Sequence, residues 1–199
     1  MTLTWRDLGV KTVQDPAQAA QLVMSVPMVR RDIWLGVIAV ACLNALFSSL
    51  LTAMSPVTTQ EAQALPLLAV SPLPKALIIA GLLVLLSHVL TWVGRAMGGS
   101  GQIDDMLKLM VWMQLVAMVL QALNLVILIA VPLIGSILVM AIVIIMFRIL
   151  LNFIKVGHGF TTMGNAALVL FASFIGMIVG ISVLLVLSGV GNLGVVPSV

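Results

Sequence analysis

The chain has 199 residues, of which 62% are hydrophobic and 8% charged. That balance excludes a soluble domain of this size, because so few charges cannot cover so much apolar surface. The formal net charge of +3 is too small and too scattered for a nucleic-acid partner, and the single Cys42, inside an apolar run, excludes an intrachain disulfide and a thiolate metal site.

In chain order, residues 1–32 form a mostly polar lead-in, read as a cytoplasmic N-terminal segment rather than a cleaved signal, whose apolar core would lie nearer the first residue. Asp15-Pro16 starts a short interfacial helix, with Asp capping free amides and Pro suited to the first turn, and Pro27 ends it. Trp5, Leu8 and Val10, with Arg6 and Lys11, suit the membrane interface. The first span is expected over Ile33–Met54, where Ala41, Ala45 and Ser49 recur every fourth residue and leave one face smooth enough for close helix approach. A loop rich in Pro, Thr, Gln and Ala follows over Ser55–Pro74.

The second span, Lys75–Met97, places His88, Thr91 and Arg95 on one face. Gly98-Gly99-Ser100-Gly101 reads as a tight interhelical turn; two carboxylates, Asp104 and Asp105, stand where a phosphate would sit, and no Lys-Ser/Thr follows. Met106–Phe153 is too long for one span, since at ~1.5 Å per residue it would run roughly 70 Å against a hydrocarbon core of ~30 Å. It must fold back at Pro132, giving a third span over Met106–Ile129, with Gln114 and Gln121 on one face, and a fourth over Leu133–Phe153. The polar stretch Lys155–Asn165 leads to a fifth span, Ala166–Leu187, where Ala172, Gly176 and Gly180 make a tandem small-xxx-small face. Residues 33–190 are thus an all-α bundle of five transmembrane helices, and residues 191–199 a loose tail.

Basic residues set the expected orientation. Arg6, Lys11, Arg30, Arg31, Arg95, Lys108, Arg148 and Lys155 fall on one side and Lys75 alone on the other, which puts the N-terminus in the cytoplasm and the C-terminus outside. Arg30, Arg31 and Lys155 are candidates for lipid headgroups. Arg148 lies near the end of its span, where it can snorkel to headgroups or make a buried pair. His88, Gln114, Gln121 and Arg148 are the candidates for an interspan polar network, with a His88–Gln114 hydrogen bond expected. No catalytic constellation, cofactor site or clustered metal ligands are present in the sequence.

The order of the short motifs carries a resemblance. Asp15-Pro16-Ala17 and Val26-Pro27 precede the first span; Gly98-Gly99-Ser100-Gly101-Gln102 joins spans two and three; Gly157-His158-Gly159-Phe160-Thr161-Thr162, with Gly164 and Ala166, joins spans four and five. Over roughly residues 15 to 190 the chain resembles bacterial Yip1-domain membrane proteins. The resemblance implies a non-enzymatic integral membrane protein of the inner membrane, with lipid and other membrane proteins, or itself, as partners. Eukaryotic members act in vesicle traffic with prenylated small GTPases. This chain has no Tyr, so their Asp-Leu-Tyr-Gly-Pro and Gly-Tyr motifs are missing, and GTPase binding is not carried over. An accessory role in membrane organisation or in a larger membrane complex is the reading favoured; a small transporter or channel using the polar groups of spans two to four is the rival.

Overall fold

The structure is a computed structural model that describes residues 4–54 and 71–187. Seven helices are seen there: α1 (Trp5–Gln14), α2 (Pro16–Ser25), α3 (Arg30–Met54), α4 (Pro72–Ala96), α5 (Ile103–Ala130), α6 (Pro132–His158) and α7 (Met163–Leu187). Helices α3 to α7 are long and apolar enough to cross a membrane, five in all. The expected loop 55–74 lies mostly outside the described residues, as does the tail 188–199; Pro72 and Pro74 belong to the first turn of α4.

Local sequence explains the element ends. The N-terminal segment makes two helices where one was expected. Thr4 and Asp7 form a reciprocal capping box that starts α1. The Asp15 side chain accepts from the Gln18 amide at 3.1 Å, with Pro16 in the first turn of α2. The α5–α6 hairpin turns at Val131, and Pro132 opens α6 where its missing N–H costs nothing. Helix α6 runs to His158, beyond the expected end at Phe153, so Lys155 is helical and the following loop shrinks to residues 159–162. Gly159, at φ 70°, ends the helix in the left-handed conformation that a side chain disfavours.

The spans alternate in direction. α3 packs on α4 and α5, α5 pairs closely with α6, and α7 rests on α4 and α6. The hairpin α1–α2 docks on α5 and α6, chiefly through α2. The fully buried residues cluster toward one end: Leu90 of α4, Met106 and Leu109 of α5, Phe153 and Ile154 of α6, with Ala19 and Ala20 of α2 and Ala166 of α7. Toward the other end α5 and α6 expose Leu123, Val126, Leu133 and Ile137, side chains a bilayer would solvate. Of the nine basic residues, only Lys75 lies at that second end.

Candidate functional site

At the charged end, two loops far apart in sequence lock around His158. The ring is buried, and its Nδ1 lies 3.0 Å from the Ile154 carbonyl one turn back, so that nitrogen carries the proton. The other nitrogen, Nε2, has no hydrogen-bond partner among the described residues. It faces a wall of glycine. A Cβ at Gly94 would fall inside the imidazole, one at Gly101 would come within 2.5 Å of it, and one at Gly99 within 2.9 Å of the His158 Cβ. The Phe160 ring stacks on the imidazole at 5.5 Å. The Ser100 amide donates to the His158 carbonyl at 3.0 Å, and Arg95 Nε donates to the Gly101 carbonyl at 2.7 Å. Gly98–Gln102 and Gly157–Phe160, read from sequence as separate turns, are therefore one clasp joining α4, α5 and α6.

A second cluster holds the N-terminal hairpin. Trp112 Nε1 on α5 donates to Thr12 Oγ1 on α1 at 2.8 Å, and the Trp5 ring lies 6.1 Å from the Trp112 ring. Arg148 on α6 donates from both terminal nitrogens to the Val13 and Gln14 carbonyls, at 3.4 and 3.3 Å. These are carbonyls of the last turn of α1, which have no partner within the helix. Arg148 thus caps α1 while remaining exposed, and it makes no ion pair among the described residues. Arg30 Nε, expected at headgroups, lies 3.7 Å from Asp104 Oδ1, while Lys108 pairs with Asp105 at 3.3 Å. Arg31 is exposed and Lys155 half-buried.

The expected interspan polar network is not assembled. His88 is exposed, and its Nδ1 bonds the Val84 carbonyl of its own helix at 2.8 Å. Gln114 is half-buried and makes no hydrogen bond with His88; Gln121 is exposed. The reason is local: Ser87, Thr91 and Asn152 also bond carbonyls four residues back, at 2.8, 2.7 and 2.8 Å. A polar side chain in a span satisfied by its own helix needs no neighbour.

The two small-residue faces part company. Ala41 and Ala45 are buried, and Ser49 accepts from Lys75 of α4 at 3.3 Å. Ala172, Gly176 and Gly180 are exposed, and a Cβ at either glycine would meet nothing within 4 Å among the described residues. No group of three or more His, Cys, Asp or Glu side chains that could hold a metal occurs among the described residues.

The Yip1 domain matches residues 10–184, from inside α1 almost to the end of α7. The chain belongs to the Yip1 family. Comparisons with curated proteins and with solved structures each gave no match. The match spans both cysteine-free clasp loops and all five apolar helices, so the His158 clasp lies wholly within this Yip1 domain.

Proposed function

We propose that this Yip1-family protein is a non-enzymatic accessory component of a bacterial inner membrane, and that the outer face of α7 is where it meets another membrane protein or a second copy of itself. One observation carries the reading. Only 11% of the α7 apolar window is buried, against 28% in α3, α4 and α6, and its exposed side includes the small residues Ala172, Gly176 and Gly180. Lipid tails are as apolar as leucine, so helices associate in a bilayer by close backbone packing, which such a face permits. The basic asymmetry supports a cytoplasmic N-terminus, with α1, α2 and the clasp on the cytoplasmic side.

The test is Gly176→Leu and Gly180→Leu, with Leu184→Ala as control, in protein purified in mild detergent. Because an added Cβ at either glycine meets nothing within 4 Å among the described residues, melting should not change. Association, followed by pull-down of a specific partner and by single-molecule counting of copies in bilayers, should fall. If both variants assemble like the control, α7 faces lipid alone and the reading fails.

A further inference from the structure

A cleft of about 440 Å³ opens between the N-terminal hairpin and the spans α3 and α5. Its walls include Trp5, Val23, Ile33 and Trp112, and among the described residues two ionisable side chains line it, Asp32 and Lys108. The volume lies within the roughly 300–1,000 Å³ usual for small-molecule sites. We propose that this cleft binds one phospholipid bearing a primary-amine headgroup, a phosphatidylethanolamine, with an acyl chain in the cleft against the paired tryptophans, its ammonium on Asp32 and its phosphate on Lys108. The site is distinct from the α7 face and does not depend on the function proposed above.

Charge selects the headgroup. The Lys108 side chain is only 11% exposed and has one acceptor among the described residues, Asp105, which leaves two of its three N–H donors to meet a phosphate. Asp32 has no ion-pair partner among the described residues. The mouth therefore offers one cation and one anion. The Arg30–Asp104 pair is neutral in itself and exposed Arg31 adjoins Asp32, so the charges around the mouth balance and it is Asp32 that disfavours a purely anionic headgroup. A zwitterion with N–H donors matches both charges, and a quaternary amine, having no N–H, satisfies only the phosphate side. The apolar walls exclude a free amino-phosphate: the acyl chain is what the tryptophan-lined space receives.

Trp112, half-buried in the cleft wall, reports occupancy directly. Trp5, Trp34 and Trp92, the other three tryptophans, are exposed and can be replaced by Phe. In the Trp5→Phe/Trp34→Phe/Trp92→Phe background, the detergent-purified full chain is titrated with lipids carrying brominated acyl chains, which quench nearby indoles. Phosphatidylethanolamine should quench at a mole fraction about tenfold lower than phosphatidylcholine or phosphatidylglycerol, the scale of one charge-assisted hydrogen bond. Asp32→Asn should abolish that preference, and Asp32→Glu should keep most of it. Equal quenching by all three headgroups, a preference for phosphatidylglycerol, absence of quenching, or a preference that survives Asp32→Asn would each overturn the proposal. If Asp32→Asn does not fold, the headgroup comparison in the parent chain and Asp32→Glu decide it.

Discussion

Trp112 Nε1 donates to Thr12 Oγ1 across 100 residues of sequence, and the same hydroxyl donates to the Leu8 carbonyl at 2.8 Å. Thr12 is fully buried, so its hydroxyl is both satisfied and shielded from water. The pair fixes where α1 sits on α5. Thr12→Val should leave the indole N–H unpaired and cost about 1 kcal/mol, and Trp112→Phe a similar amount, since a buried polar group without its partner loses more than the bond gives. The double variant should cost less than the sum of the two. Hydrogen exchange of the α1 amides and thermal melting measure this; strict additivity would show that the bond does not secure the hairpin.

The clasp around His158 predicts compensation. Gly94→Ala should destabilise by about 1–3 kcal/mol, because the new methyl occupies imidazole space in a close-packed site. His158→Ala removes the ring and makes that room, so Gly94→Ala placed in a His158→Ala chain should cost much less. Melting of the four chains in one detergent decides it. Equal costs in both backgrounds would mean that the ring moves aside.

The spans were legible because apolar runs of membrane length leave little choice, and the hairpin turn because Pro132 sits between two of them. Asp15-Pro16 marked α2 for the same local reasons. What was not legible depended on tertiary partners. Arg148 reads as a snorkelling arginine, and its bonds to two bare α1 carbonyls depend on where α1 docks. Lys155 and Gly157 read as loop because they are polar or small, yet a helix can continue past the membrane until Gly159 ends it. Gly99 and Gly101 read as a tight turn and Gly94 gave no signal, because the ring they admit lies more than fifty residues further on. His88 and Gln114 invited a cross-helix bond that the neighbouring backbone carbonyl pre-empts for His88.

Acid should loosen α1 first at its start. The Asp7 carboxyl is held below the ordinary aspartate value, chiefly by the hydrogen bond from the Thr4 hydroxyl and then by the Thr4 amide. A depressed pKa means the charged form favours the folded helix; that contribution is present above the unfolded value and is lost as pH falls through the folded one. The first turn of α1 should therefore fray below about pH 4, where unperturbed aspartate protonates. Titration by carboxyl NMR should give a midpoint below the free value, and Thr4→Ala should raise it. A midpoint unmoved by Thr4→Ala would remove the capping box as the cause.

Topology follows from the basic end. A reporter active only in the cytoplasm should work when fused to the N-terminus or inserted in the loop 159–162, and should be silent after Val199. Activity after Val199 would invert or re-count the spans.

The transporter reading can be tested on the same purified protein. A conduction path needs polar groups that face one another across helices, or a carboxylate within the spans to trade protons or cations. The described spans offer no such carboxylate and no row of facing polar groups: Asp32, Asp104 and Asp105 all lie in first turns at the charged end, Lys75–Ser49 is a single cross-helix contact, Asn124 and Ser173 are isolated on different helices, and Ser87, His88, Thr91, Asn44, Thr52 and Ser136 each bond a carbonyl four residues back. Such side chains are engaged and present no continuous row to water. His88→Leu with Gln114→Leu should therefore leave insertion intact and shift stability by less than about 1 kcal/mol, because the two groups share no bond to lose. Liposomes containing the purified chain should pass protons and small solutes no faster than empty ones between pH 5 and 8, the range in which a free histidine would titrate. Flux above the empty-liposome rate that His88→Leu abolishes, with folding unchanged, would make this Yip1-domain protein a transporter after all.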